Sequence, residues 1–319
     1  MLAHLRERWF LLALVAVLVA GLAWPGVVQP IARWIPRQAV VALVMFLMAL
    51  PMELRVMWDA MRRPGPAWLG AFVNAGLAPP LGWLASRLLP ADLAIGVIVA
   101  ATVPCTLAAA TVWTRRAGGN DAVAILVTLI TNLACVVVAP AWLRLLVGSA
   151  AAERAGVDYG DLILQLALLV IVPIAVAQLA RQWPAIAAGA TAHKKLLSDV
   201  AQLGILSMVL VGAVGCGERI NELENGASLA VATVALMIAV VIAVHLALLI
   251  AGFHAAKFAG MSRADAIAVG IAGSQKTIMV GLYLAMCFGP LAILPMVAYH
   301  AAQLVLDTLV ADRWARQSS

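Results

Sequence analysis

Long apolar stretches with few charged residues recur along the whole chain. They lie at residues 9–28, 38–52, 67–87, 92–114, 122–143, 161–180, 196–216, 227–253, 264–287 and 290–309. A transmembrane helix needs about 20 predominantly apolar residues, so each stretch predicts a membrane span. Of the 319 residues, 65% are hydrophobic and only 11% are charged, whereas a soluble domain carries about a quarter charged residues. We therefore predict an all-α polytopic membrane protein with ten transmembrane helices, and not a soluble enzyme.

Two of the ten predicted spans have unusual lengths. The second, 38–52, is short for a bilayer, so we expect its helix to extend past Glu53 or to tilt little. The eighth, 227–253, is long enough to tilt or to contain a break.

The distribution of basic residues predicts how the spans are oriented. The termini and the loops after spans 2, 4, 6 and 8 hold fourteen of the 21 lysines and arginines, and the alternate loops hold six. Because cytoplasmic loops carry the excess of basic residues, both termini are predicted to be cytoplasmic. The lipid bilayer, not nucleic acid, explains the basic character of the chain.

One lysine is left over, and it lies in the middle of the ninth span. Lys276 follows Asp265 by eleven residues, which is about 16 Å along a helix and close to the membrane midplane. A lysine at this depth costs on the order of 3 kcal/mol, so it needs a partner or a function. Because no interface is within its reach, we favour a functional role over a lysine that extends to the membrane surface.

Ten spans divide into two sets of five, and the fourth span of each set is predicted to be broken. Pro104 interrupts the first of these helices, and glycines 270 and 273 beside polar residues 274–276 weaken the second. The alternative is one ordinary proline kink and two glycine packing contacts. Breaks at corresponding positions instead indicate the midplane site of a secondary transporter. Five is an odd number, so the repeats, at residues 1–150 and 151–319, must be inverted relative to each other.

Several motifs at these positions resemble the bile acid:sodium symporter family, and most closely its divergent SBF-like branch. The fourth and fifth spans carry a proline-led hydroxyl run, a Gly-Gly-Asn loop and the segment Thr128-Leu-Ile-Thr-Asn-Leu133. The second span carries Met45-Phe-Leu-Met-Ala-Leu50, and the ninth carries Gly273-Ser-Gln-Lys-Thr277. The resemblance covers almost the whole chain.

This resemblance implies a panel domain and a core domain, with the broken helices 4 and 9 crossing in the core. It also implies two sodium ions beside the crossing, and an organic anion as substrate. By position, the first sodium site would use Thr111 and Thr128 with Thr131 nearby, and Asn74 replaces a glutamine of the second site.

The chain departs from the family at an acidic ligand of the ninth helix, which falls near Ala268, and it carries no evident carboxylate at the crossing. Lys276 is predicted either to replace one coupling ion or to pair with an anionic substrate. The predicted cation-binding residues are Asn74, Thr111, Thr128, Thr131, Ser274, Gln275 and Lys276.

The predicted substrate-binding residues are Pro104, Cys105, Thr106, Gly273, Ser274, Lys276, His300 and Gln303. His300 and Gln303 share one face of the tenth span, where interhelical hydrogen bonding is the simpler alternative. Asp307 is predicted to pair with a basic loop residue near the cytoplasmic end. The four cysteines are predicted to be buried free thiols, and the histidines have no metal-ligand spacing.

The sequence thus predicts a secondary active transporter that moves a small organic anion by alternating access, with sodium as the coupling ion. Two alternatives stay open. One is a proton-coupled or exchange transporter that uses Lys276, and the other is a non-transporting membrane regulator with the same fold. No catalytic motif indicates an enzyme. The sequence gives no signal about the oligomeric state or the identity of the substrate.

Overall fold

A computed structural model of the protein describes residues 9–53, 61–223 and 231–316. The chain termini and residues 227–230, which begin the predicted eighth span, lie outside these ranges. Within the ranges the fold is all-helical, without a strand. This confirms the predicted helical class.

Each predicted span has a helical counterpart. The helices are α1 (Trp9–Ala23), α2 (Pro25–Ala32), α3 (Arg37–Ala49), α4 (Gly65–Phe72), α5 (Ala78–Ser86), α6 (Ala91–Thr102), α7 (Ala109–Arg116), α8 (Asp121–Leu146), α9 (Ser149–Arg154), α10 (Tyr159–Leu166), α11 (Val172–Ala180), α12 (Pro184–Ala192), α13 (Lys194–Leu223), α14 (Val231–Phe258), α15 (Arg263–Ser274), α16 (Ile278–Phe288) and α17 (Ile293–Arg316). Single π turns, Val73–Leu77 and Ala167–Ile171, join α4 to α5 and α10 to α11.

Six helical segments of the described chain are long and apolar enough to cross a membrane. They are Asp121–Leu146, Tyr159–Ala180, Lys194–Glu222, Val231–Phe258, Arg263–Phe288 and Pro290–Arg316. They show an integral membrane protein and match the last six predicted spans. Of the first four predicted spans, the first is bent, the second is short, the third is rich in glycine and proline, and the fourth is broken. The count of ten membrane crossings therefore stays a prediction. The described part of the eighth, α14, runs through 28 residues without a break.

The first predicted span is shorter than the sequence indicates. Its helix α1 ends at Ala23, and α2 begins at Pro25 after a bend of 112°. Proline is favoured in the first turn of a helix and cannot continue the preceding one, so Pro25 ends α1 and begins α2.

Helix α3 ends at Ala49 and does not extend past Glu53, contrary to the first of our two expectations. Its last carbonyl groups have no partners within the helix. Gln178 of α11 donates to the Ala49 carbonyl at 2.7 Å, and Arg181 donates to the Leu50 carbonyl at 3.1 Å. These side chains cap the short helix and hold it against α11.

Both predicted helix breaks are present. Residues 103–108, the first break, separate α6 from α7, and residues 275–277, the second break, separate α15 from α16. The glycines lie inside α15 and not at the break. A Cβ atom at Gly270 would lie 2.9 Å from the Leu249 carbonyl oxygen, so this glycine permits close packing of α15 against α14. The packing alternative therefore holds for Gly270.

The Gly-Gly-Asn loop fixes the start of α8 against the start of α15. Gly118 has a φ of 75°, a conformation that favours glycine. The Asn120 side chain caps α8 by accepting from the Val123 amide, and its amide group donates to the Asp265 carboxylate at 2.8 Å. The start of α8 is thus joined to the start of α15, the helix that leads into the second break.

Candidate functional site

The two breaks contact each other inside the protein. The Thr277 amide donates to the Pro104 carbonyl at 2.9 Å, and the Thr106 hydroxyl donates to Gln275 Oε1 at 2.6 Å. Unpaired backbone groups are costly in a membrane unless neighbouring protein satisfies them. The two breaks satisfy part of this need for each other, and we call their contact the crossing.

Lys276 places its ammonium group among backbone carbonyls at the crossing. Its side chain is fully buried. Nζ donates to the carbonyl oxygens of Asn74 at 2.6 Å, Ala101 at 2.8 Å and Val103 at 3.0 Å. We call these three oxygens the lysine cradle. Two of them come from the C-terminal end of α6, where the helix dipole is negative and favours a cation.

An ammonium group has three hydrogen-bond donors, and the cradle uses all three. The three carbonyl oxygens thus match the three hydrogens of a charged lysine, and Nζ is directed at these oxygens.

Gln303 of α17 holds the backbone of the second break. Its Oε1 accepts from the Lys276 amide at 2.9 Å, and its Nε2 donates to the Lys276 carbonyl at 2.9 Å. The same Nε2 lies 2.9 Å from His300 Nδ1. This two-point contact satisfies both backbone groups of a residue that has left the helix.

The first break is fixed by polar side chains of α8. Thr128 donates to the Thr106 carbonyl at 3.2 Å, and Thr131 accepts from the Cys105 amide at 3.2 Å. Asn132 donates to the Cys105 carbonyl at 2.9 Å. Asn132 belongs to the quoted Thr128–Leu133 motif but was not predicted as a site residue.

Asn74 connects the π turn between α4 and α5 to the second break. Its Nδ2 atom donates to the carbonyls of Ala272, Gly273 and Gln275 at 3.3, 3.2 and 2.8 Å. These include the last carbonyls of α15, which have no helical partners. Asn74 therefore serves the second break with its side chain and the lysine cradle with its carbonyl group.

Our prediction for Asp307 is wrong. The carboxylate is fully buried, and its partners are not basic loop residues. Oδ2 accepts from Gln275 Nε2 at 2.6 Å, and Oδ1 lies 2.9 Å from His245 Nε2. The expectation that no carboxylate reaches the crossing is wrong for the same reason. Asp307 shares a face of α17 with Gln303 and His300, four and seven residues earlier, and this spacing was the missed signal.

A cavity of about 270 Å³ opens beside the crossing. Three residues with polar side chains, Thr106, Thr277 and His300, line it, and so do residues of α13. The first residues of α7 and α16 also line it, so the N-terminal ends of two half-helices border one space. The remaining lining is mainly apolar and includes Phe10, Leu47, Met48, Ile205 and Met279.

One basic residue, Lys194, marks the mouth of this cavity, because it lines the cavity and is also exposed. Lys194 also lines a neighbouring cavity of about 210 Å³, which includes Thr111 and Arg115. Lys194 and Arg115 belong to the set of basic residues that predicts the cytoplasmic side.

The predicted substrate residues therefore divide into two groups. Thr106 and His300 line the cavity. The other predicted residues are buried in the crossing: Pro104, Cys105, Gly273, Ser274, Lys276 and Gln303. Thr277 lines the cavity and was not predicted, although it ends the quoted motif of the ninth span. The four cysteines are free thiols, as expected, and three of them are buried, whereas Cys287 is only half-buried.

Sodium, which the family resemblance implies, fits the oxygen groups at the crossing. A hard monovalent cation prefers hydroxyl, amide and carbonyl oxygens. Thr128 and Thr131 supply buried hydroxyls, and the buried oxygens Asn74 Oδ1 and Asn132 Oδ1 have no hydrogen-bond partner among the residues that the structure describes. Thr111, the other hydroxyl predicted for the first sodium site, lines the smaller cavity.

Comparison with known proteins identifies relatives along the whole chain. The model of the SBF-like CPA transporter family matches residues 8–316. The chain is 26% identical to the "Uncharacterized sodium-dependent transporter YocS" of Bacillus subtilis, over 99% of this chain and 94% of that protein. It is 24% identical to "Sodium/bile acid cotransporter 7" of Rattus norvegicus, over 97% of this chain and 93% of that protein.

A third relative is the "Probable sodium/metabolite cotransporter BASS4, chloroplastic" of Arabidopsis thaliana. The two chains are 26% identical over 72% of this chain and 54% of the plant protein. The family match confirms the resemblance that the sequence motifs indicate. The chain belongs to the SBF-like CPA transporter family, and it is a membrane transporter and not an enzyme.

Proposed function

We propose that this protein is a sodium-coupled secondary active transporter that moves a small organic anion by alternating access. The observation that carries the proposal is the contact of two helix breaks beside a cavity. Broken helices that meet at the middle of the membrane are the usual binding architecture of secondary transporters. The names of the relatives, which refer to sodium-dependent transport, support the coupling ion.

The proposed architecture has ten crossings in two inverted repeats, residues 1–150 and 151–319, with a panel domain and a core domain. Each repeat has one broken helix, α6–α7 in the first and α15–α16 in the second. The proposed boundary lies in the short helix α9, which follows Gly148 and precedes α10. Both termini are proposed to be cytoplasmic.

The cavity beside the crossing is the proposed substrate site. Its apolar walls suit the body of an amphipathic molecule, and the N-terminal ends of α7 and α16 suit an anionic group. Thr106, Thr277 and His300 supply polar contacts. Because Lys194 lies at the mouth, we propose that this conformation opens toward the cytoplasm.

The proposed sodium ligands are Thr111, Thr128 and Thr131, with Asn132 Oδ1 as a further oxygen. Sodium would bring a positive charge to oxygens of the first break and α8, and this charge would favour an anion in the adjoining cavity. Ser274 stays a candidate ligand, because its hydroxyl donates its hydrogen to the Ile271 carbonyl at 3.2 Å, as the Thr128 hydroxyl does to the Thr106 carbonyl, and so keeps its oxygen lone pairs for a cation.

We further propose that Lys276 replaces one coupling ion. Its ammonium group occupies a cradle of three carbonyl oxygens, which is the environment that a dehydrated sodium ion requires. All three donors are used, so this geometry supports a fixed cation over a lysine that releases a proton in each cycle.

The experiment is uptake of radiolabelled organic anions into proteoliposomes, driven by a sodium gradient and compared with a potassium gradient. Accumulation with the sodium gradient alone is the expected result. Accumulation with a proton gradient alone would instead favour proton coupling. No accumulation under any gradient, with binding of an anion retained, would favour the non-transporting regulator.

A further inference from the structure

A chain of hydrogen bonds connects the buried carboxylate of Asp307 to the wall of the cavity. Gln275 Nε2 lies 2.6 Å from Asp307 Oδ2, and the Thr106 hydroxyl lies 2.6 Å from Gln275 Oε1. Thr106 lines the cavity. This series of hydrogen bonds therefore starts on α17, passes through the second break and ends at the first break.

The direction of this chain is fixed at its buried end. A carboxylate only accepts hydrogen bonds, so it must face the NH₂ group of the Gln275 amide and not the oxygen. The Gln275 oxygen is then directed to Thr106, and the Thr106 hydroxyl hydrogen is committed to Gln275. His245 contacts the other oxygen of this carboxylate, with its Nε2 atom 2.9 Å from Asp307 Oδ1.

This direction decides what Thr106 can offer to a substrate. A hydroxyl group has one hydrogen and two lone pairs. The hydrogen is used by Gln275, and one lone pair accepts from the Ala110 amide at 3.0 Å. One lone pair is left, so any hydrogen bond between the Thr106 hydroxyl and a ligand in the cavity must be accepted by Thr106 and cannot be donated by it.

We propose that Asp307 is a specificity-determining residue, which makes Thr106 a hydrogen-bond acceptor and so selects organic anions that carry a hydroxyl group. The inference rests on the proposed function, and it deepens that function by naming the substrate class as hydroxylated carboxylates. Asp307 acts through Gln275 and does not contact the substrate, so it is a positioning residue.

Reversing the direction of these hydrogen bonds tests this assignment. Asp307→Asn lets the Gln275 amide turn, because the new NH₂ group can donate to the Gln275 oxygen. Gln275 Nε2 then donates to Thr106, and the Thr106 hydrogen becomes free to donate into the cavity. The double variant Asp307→Asn, Gln275→Glu restores the original direction, because a glutamate carboxylate accepts from both neighbours.

The measurement is calorimetric binding of 2-hydroxyhexanoate and hexanoate, which share a carbon skeleton, to detergent-purified protein at one sodium concentration. The natural protein should prefer the hydroxy acid by about tenfold, the usual discrimination by a buried hydrogen bond. The ratio of the affinity for 2-hydroxyhexanoate to the affinity for hexanoate should fall toward one in Asp307→Asn and recover in the double variant. The exposed Asp92→Asn is the matched control and should keep the ratio of the natural protein.

A ratio of affinities is insensitive to partial loss of folded protein, so a purely structural role of Asp307 would leave it unchanged. An unchanged ratio in Asp307→Asn, failure of the double variant to recover it, or no binding of either acid to any variant would overturn the inference. Sodium-dependent uptake by the natural protein is measured separately. A negative result in the binding experiment would therefore contradict the specificity proposal without contradicting transport. A negative result in the uptake experiment would contradict sodium coupling without contradicting the specificity proposal.

Discussion

Replacing Lys276 with alanine should convert the lysine cradle into a sodium site. The change removes the ammonium group and leaves the carbonyl oxygens of Asn74, Ala101 and Val103 without donors. Each unsatisfied buried acceptor costs about 1 kcal/mol or more, so the variant should lose about 3 kcal/mol of stability in potassium. This corresponds to several degrees of melting temperature.

Sodium should recover most of this loss. A ligand that binds only the folded state stabilises it by RT ln(1 + [L]/Kd), which is about 2.7 kcal/mol at a concentration of one hundred times Kd. Lys276→Ala leaves space for the ion, whereas Lys276→Met keeps most of the side-chain volume without the charge. Only the alanine variant should therefore gain a second sodium response beyond that of the natural protein.

The assay is thermal unfolding of detergent-purified protein in sodium and in potassium at equal ionic strength. Lys194→Ala, which removes an exposed lysine at the cavity mouth, is the control and should behave as the natural protein. Equal sodium responses of Lys276→Ala and the natural protein would refute the cation replacement. So would a methionine variant that responds as strongly as the alanine variant, because filling the cradle should exclude the ion.

Three further changes test other parts of the structure. Thr111→Val should raise the sodium concentration for half-maximal uptake with little loss of melting temperature, because the hydroxyl lies at a cavity wall; an unchanged sodium dependence would remove Thr111 from the site. Gln303→Leu should lower the free energy of unfolding by about 2 kcal/mol in thermal melts, because two backbone groups of Lys276 lose their partner. Gly270→Ala should also destabilise the protein, since the new methyl group would lie 2.9 Å from the Leu249 carbonyl; a melting temperature equal to that of the natural protein would contradict the close packing of α14 and α15.

The helical spans and both breaks could be predicted because their causes are local. Pro104 cannot continue a helix, and a lysine within an apolar stretch marks an unusual position wherever the chain folds. The bend after α1 also had a local cause in Pro25, but the length of the apolar stretch hid it. Helix α3 ended earlier than expected because its caps, Gln178 and Arg181, come from a helix more than a hundred residues away.

The partners at the crossing could not be predicted, because they depend on which helices are neighbours. Lys276 binds carbonyl oxygens, and every residue has a carbonyl, so no sequence pattern identifies the cradle. Asp307 could be placed on one face with His300 and Gln303, but the partner His245 lies on another helix. Position along the tenth span suggested a solvent-facing residue, whereas packing buries it completely.

The lysine cradle also has an electrical consequence for transport. A positive charge that belongs to the chain returns with the protein in every cycle and is never delivered across the membrane. With Lys276 in place of one ion, one sodium and one monovalent anion move together and carry no net charge. Two free sodium ions would instead carry one net positive charge and gain about 2.3 kcal/mol for each 100 mV of membrane potential. The proposed protein gives up this voltage contribution, so the sodium concentration ratio alone sets the highest accumulation of its substrate, and that accumulation does not vary with membrane potential.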